Sequence, residues 1–184
     1  MSEEDGLGAN NVIPLHAAER ALRKRGPSFA MDDVAEAAGV EAEVVKLAFP
    51  AGRAALMRQV LANACSEFDD TVTNPMLGAP TPREALAEAA DGLDAYYEGG
   101  LRSCLMELFS VPDDSEHLPI IKDAAQRFLD GLEEVFVRAG RTRDGARDRA
   151  HRLFAELQGT LVLGRITGDT SLFRTFTDAL RRSA

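Results

Sequence analysis

"MDDVAEAAGVEAEVVKLAFPAGRAALM", Met31 to Met57, is the stretch whose reading decides the fold. Met31, Val34, Ala35 and Ala38 recur at three- and four-residue spacing, which puts them on one face of a short helix. Asp32 and Asp33 suit the positive end of its dipole. Gly39 stops this helix, and a corner that leads straight into Val40 and another short helix needs a residue able to take positive φ. The next helix is expected over Glu41 to Leu47, with Val45 and Val44 turned inward. Pro50 ends it, because the residue before a proline is pushed out of the helical region. Two short helices joined by a glycine corner make a helix-turn-helix.

Upstream, Ile13 to Arg25 carries Leu15, Ala18, Ala21 and Leu22 at helical spacing, with Arg23, Lys24 and Arg25 in the last turn and Gly26 as the stop. Residues 1–11, acidic and rich in Gly and Asn, are expected to be a disordered tail, since they contain no apolar block of the kind a secretory signal needs. Residues 12–50 then form a three-helix head. Downstream of it, Leu56, Val60, Leu61, Ala64 and Phe68 share one face of a connecting helix, 51–72, that opens a body covering 51–184. Asn74 to Pro82 reads as a loop. Helices are expected over Arg83–Glu98, Leu101–Val111, Pro119–Ala139, Asp144–Ile166 and Ser171–Arg182. Trp is absent and aromatics make up 6% of the chain, a composition that favours packed helices over sheet. The fold class is therefore all-α, a helix-turn-helix head followed by a helical-bundle body.

The formal net charge is −9, which taken whole disfavours nucleic acid, because phosphate contacts need Lys and Arg. Its distribution is uneven. From Ala9 to Val60 seven bases stand against six acids, so the head is mildly basic and the body carries the acid. Two cysteines, Cys65 and Cys104, and three scattered histidines match no zinc spacing and no disulfide framework, so neither a metal nor a cofactor is expected. His16, His117 and His151 lie beside no nucleophile motif, and no catalytic residue is assigned. Charges interrupt every apolar run short of the roughly 20 residues that cross a bilayer. A soluble, cytoplasmic protein that is not an enzyme and has no membrane partner is the expectation.

"DDVAEAAGV" (Asp32–Val40), "FPAGRAAL" (Phe49–Leu56) and the long helical body behind them resemble the TetR-type family of one-component transcriptional regulators. The resemblance covers nearly the whole chain after the tail. It implies a homodimer whose third helices enter successive major grooves of a double-stranded operator, with a body that holds a small hydrophobic or amphipathic effector. The DNA-facing set it implies is Ala30, Met31, Glu41, Ala42, Glu43, Lys46, Leu47 and Arg53. Several of these depart from the family's pattern. Ala30 stands where a hydroxyl usually caps the second helix, and Lys46 where a phosphate-touching Tyr is common. Glu41 and Glu43 face a backbone carrying one charge per about 1.7 Å, unless they accept from a cytosine amino group. Two readings follow: a ligand-responsive regulator, a repressor released from DNA by its effector, or a relative with impaired DNA binding that serves as a ligand sensor or protein-interaction module. In the second, Val44, Leu47 and Ala48 would meet a protein partner.

In the body, Cys104, Met106 and Phe109 share one short helix, and Ile120, Ala124, Phe128, Leu132 and Phe136 step by four along the next. Such stripes suit a core or the wall of an effector pocket, with Tyr96, Tyr97 and Gln158 as the polar groups that would orient a ligand. The last two helices carry Leu153, Phe154, Leu157, Leu161, Val162, Leu172, Phe173, Phe176 and Leu180. That is more apolar surface than a small body should bury alone, and a four-helix interface between two copies is the natural outlet.

Overall fold

The computed structural model describes residues 5–109 and 117–182, and among them helices are joined only by turns, with no strand. The chain divides into two compact units, one of Met1–Ala64 with Leu108–Ile120, the other of Cys65–Glu107 with Ile121–Ala184.

The first unit contains α1 (Asp5–Arg25), α2 (Met31–Ala38), α3 (Ala42–Ala48) and most of α4 (Gly52–Phe68). Helix α1 packs against α2, and α2 against α3, over a core of Ala17, Ala18, Leu22, Phe29, Val34 and Val45. Because α1 starts at Asp5, the part of the expected tail from 5 to 11 is helical, while residues 1–4 lie outside the described residues. Once the buried turns around Ala17 to Leu22 have nucleated a helix, adding residues at its end is cheap, even through Gly6 and Gly8. The corner after α2 forms as the sequence leads one to expect. Gly39 sits at φ 67 and ψ 34, its N–H donates to the Glu36 carbonyl at 3.2 Å, and the Val40 N–H donates to the Ala35 carbonyl at 3.1 Å. These paired bonds satisfy the last carbonyls of α2 and turn the chain into α3.

Helix α4 does not stop at 72. It widens into a π-turn over Asp69–Thr73 and continues as α5 (Asn74–Gly78), so the loop expected from Asn74 begins only at Ala79. Burial of Met76 overrides the turn-forming residues around it, and Pro75 falls in the first turn of α5, where its missing N–H is tolerated.

The second unit continues with α6 (Pro82–Tyr96), α7 (Leu105–Leu108), α8 (Leu118–Arg138), α9 (Arg143–Thr167) and α10 (Ser171–Arg182), of which Leu108 and residues 118–120 fall in the first unit. Helix α6 packs against α10, α5 and the π-turn, and α9 against α10. Helices α6, α9 and α10 open on a capping oxygen. The Thr81 hydroxyl accepts from the Glu84 N–H at 3.2 Å and donates to the Glu84 carboxylate at 2.8 Å, the Thr142 hydroxyl accepts from the Gly145 N–H at 3.3 Å, and the Asp169 carboxylate accepts from the N–H and hydroxyl of Ser171 at 2.8 and 2.9 Å. The helix expected over Leu101–Val111 is shorter than its apolar pattern suggests. Arg102 reaches the Glu67 carboxylate with both terminal nitrogens at 2.9 and 2.8 Å and the Tyr96 carbonyl at 3.0 Å, which holds that segment out of the helical path. Residues 110–116 lie outside the described residues. No helix among those described is long and apolar enough to cross a membrane.

Candidate nucleic-acid interface

Helix α3 is seven residues long, and its sequence separates what it buries from what it presents. Val45 is wholly buried and anchors the helix to its unit. Glu43, Val44, Lys46 and Leu47 point to solvent, Leu47 at 76% exposure and Val44 at 46%. The expectation that Val44 turns inward is therefore wrong. At this length only one residue per turn can reach the core, and Val45 takes that place. Two consecutive exposed features, an apolar pair and an ion pair between Lys46 and Glu43 at 3.4 Å, make up the outward face. Glu41 precedes the helix in extended conformation and is exposed, while Ala42 is half-buried.

Ala30 caps α2 with only half of a capping box. The Asp33 carboxylate accepts from the Ala30 N–H at 2.7 Å, and the reciprocal bond is missing because alanine carries no hydroxyl. Arg25 lies 3.1 Å from Asp33 and 3.7 Å from Glu36, so the acid at the start of α2 is neutralised from within the unit. Ala30 is exposed and Met31 half-buried beside it.

Three further bases of the head have internal tasks that sequence spacing did not reveal. Arg23 pairs with Glu19 at 2.8 Å and is only 10% exposed, so it holds α1 together rather than facing outward. Arg20 donates to the Ala37 carbonyl at 2.9 Å. Arg53 donates to the Phe29 carbonyl at 2.8 Å and to the Pro27 carbonyl, with its guanidinium over the Phe29 ring at 5.4 Å. That side chain clamps the turn before α2 to the start of α4 while remaining exposed. The third-helix residues Glu43, Lys46 and Leu47 thus form one face, with Ala30, Met31 and Arg53 on the neighbouring elements.

Most of the candidate effector residues of the body pack against one another. Tyr96 and Tyr97 sit edge to face at 5.0 Å, Phe68 meets Tyr96 at 5.1 Å and Phe128 at 5.2 Å, and Tyr97 meets Phe173 at 6.0 Å. Cys104 and Leu132 belong to the same buried cluster, against which the half-buried Met106 packs. The Tyr97 hydroxyl lies 3.6 Å from the Cys104 sulfur. Phe109 is buried beside His117, ring centroids 6.1 Å apart, in the first unit. Gln158 is half-buried, and its Nε2 is enclosed without a hydrogen-bond partner. Edge-to-face contacts of this kind are the packing of a filled core.

Most of the apolar side chains assigned to an interface between copies are also buried within their own unit, Leu153, Leu157, Leu161, Phe173, Phe176 and Leu180 among them. Of that set Leu172 is exposed and Phe154 and Val162 are half-buried; Leu163 and Ile166, which the sequence reading did not assign to the interface, are exposed beside them, Ile166 at 74%.

No sequence-family model matches the chain, and no curated protein does. Solved structures do. A TetR-family transcriptional regulator from Agrobacterium tumefaciens superposes with TM-score 0.80 at 17% identity, covering 96% of this chain and 98% of that one. A TetR transcriptional regulator from Legionella pneumophila gives 0.78 at 18% identity over 93% and 95%. The fatty acid degradation regulator FadR from Bacillus halodurans gives 0.72 at 16% identity, covering 95% of each chain. An N-terminal helix-turn-helix with a capped glycine corner, followed by a helical body that matches these chains along almost their whole length, gives this protein the fold of the TetR-type regulators.

Proposed function

We propose that the protein is a DNA-binding transcriptional regulator that acts as a homodimer and is released from its operator by a small molecule held in the body. The observation that carries this reading is the outward face of α3, which follows a helix-turn-helix corner and carries Lys46 beside Val44 and Leu47. Lys46 supplies a point charge for phosphate, and exposed aliphatic side chains on a recognition helix suit contact with thymine methyl groups in the major groove. Glu43 and Glu41 are acceptors, which in the groove fit the amino group of cytosine. Sequence preference then rests on apolar contact and acid acceptors, with few phosphate anchors. The outer stripe Val162, Leu163, Ile166 and Leu172 of α9 and α10 is the proposed contact between copies. Effector binding shifts the population between DNA-bound and released states through unequal affinity for the two.

The test is fluorescence anisotropy of the full chain on duplexes taken from around its own gene, repeated over a range of salt. Saturable binding that weakens linearly in log–log form as salt rises, and a shallower slope by about 1 for Lys46→Ala, are expected. Absence of saturable binding at low salt would sink the proposal. A second reading draws on the same face: Leu47 and Val44 exposed beside two carboxylates also suit a protein partner, and loss of DNA binding with an intact dimer would favour it.

A further inference from the structure

In the second unit, the π-turn and α5 form one wall of an open groove of about 550 Å³, and α8 forms the other. Asp70, Thr73 and Asn74 stand on the first wall, Arg127, Asp130 and Glu134 on the second. Arg127 is already neutralised, since its guanidinium donates to the Asp69 carboxylate at 2.9 Å with a second contact at 2.7 Å. The remaining charge is three carboxylates on two facing walls. A second observation is independent of charge: Thr73 is 3% exposed and its hydroxyl has no hydrogen-bond partner, and the buried oxygen Oδ1 of Asp69 is likewise unsatisfied. Buried polar atoms are almost always paired, so two orphans at the ends of one π-turn call for a donor that the chain does not supply. π-turns of a single turn are frequent where helices carry function. This one is held firmly in place. A side chain at Gly92 of α6 would overlap the Thr71 carbonyl oxygen, and one at Gly131 of α8 would come within 2.8 Å of the Met76 methyl.

The chemistry of the lining narrows the occupant. Among the described residues no group of three or more His, Cys, Asp or Glu side chains converges closely enough to hold a metal ion. No aromatic face lines the groove, so nothing there would receive a quaternary ammonium or a flat aromatic cation. Carboxylates spaced along two walls, with unsatisfied acceptors beneath, suit a flexible cation that bears several N–H donors.

We propose that this groove binds a linear aliphatic polyamine, its ammonium groups donating to Asp70, Asp130 and Glu134, with the unsatisfied oxygens of Thr73 and Asp69 adding to the negative potential beneath them. The assignment of this ligand as effector rests on the regulator reading above; the binding itself does not. The experiment is titration calorimetry of the full chain, without DNA, using spermidine, putrescine and magnesium chloride at matched ionic strength. Saturable binding of spermidine at one site per chain, tighter than putrescine and without a magnesium counterpart, is expected. The double variant Asp130→Asn/Glu134→Gln should weaken it about tenfold or more, whereas Asp148→Asn/Glu156→Gln, exposed on α9, should not. Thr73→Val should weaken binding while leaving Tm unchanged or raised, because it removes an unsatisfied hydroxyl. Equal binding of magnesium, or equal loss in the groove and α9 variants, would show screening of bulk charge and overturn the proposal. Spermidine binding in a protein that fails the DNA assay keeps this inference and removes the regulator reading; DNA binding without spermidine binding does the reverse.

Discussion

Glu43 holds the Lys46 ammonium at 3.4 Å on the exposed face of α3, and a solvent-facing pair of this kind contributes little to stability. Its weight falls on the DNA account instead. Glu43→Gln frees one cation and removes one repelling charge, so affinity for non-cognate duplex should rise about fivefold, with a salt slope steeper by about 1 and a weaker preference for the operator; anisotropy over a salt series on both duplexes measures this. Arg53 shows the opposite balance. Its two bonds to the carbonyls of Phe29 and Pro27 make Arg53→Lys non-conservative, since an ammonium cannot reproduce the forked geometry, and a loss of about 1 kcal/mol in urea unfolding is expected after allowing for exposure. Lys46 and Arg53 were both visible in sequence as bases of the DNA-facing set. That one clamps a turn was not, because the carbonyls it binds lie 24 and 26 positions earlier in the chain. Cys65 is a third case: burial pushes its thiol up to about 11, so the thiolate is scarce at neutral pH and alkylation by iodoacetamide should be slow until well above pH 9.

The helices divide by what fixes their ends. Gly39 at positive φ, Thr81 and Thr142 at N-caps and Gly168 after α9 are local devices, and each of these boundaries was legible to within a residue or two. The π-turn and α5 were not. Their sequence, with Asn74, Pro75 and Gly78, has the composition of a loop, and only the burial of Met76 and the close approach of Gly92 and Gly131 make it helical. Gly92→Ala should therefore cost about 1–3 kcal/mol or more, far beyond the effect of adding a methyl to an exposed helix; chemical denaturation gives the number. At α10, the Ser171 N–H and hydroxyl hold the Asp169 carboxyl below its ordinary value of 3.8. A depressed carboxyl stabilises the fold above its unfolded pKa and loses that contribution as pH falls through the folded value. The stability difference between wild type and Asp169→Ala should accordingly be constant above pH 5 and shrink as the pH drops below 3.8, a trend that thermal melts across that range would reveal.

For the whole molecule, the two compact units part at Ala64, and the first takes in Leu108–Ile120, so most of the connecting helix that the sequence reading gave to the body falls in the unit of the head, while the aromatic rings of the second unit pack against one another. Periodicity marks an apolar face but does not say whether facing side chains close on each other or leave room, which is why core and pocket look alike in sequence. The same limit applied to α9 and α10, where most of the expected contact residues are buried within the unit and the exposed apolar side chains are Leu172 with Leu163 and Ile166, two that the sequence reading had not singled out. Ile166→Asp should convert the proposed dimer to a monomer by light scattering without loss of helicity. The pairing of two α3 helices on one duplex is the claim on which the functional account stands, and footprinting of the full chain on its own promoter region measures it most directly. Two protected segments on one face of the DNA, centred about one helical turn apart or a multiple of it, are predicted. A single protected segment, or none at low salt, would contradict it.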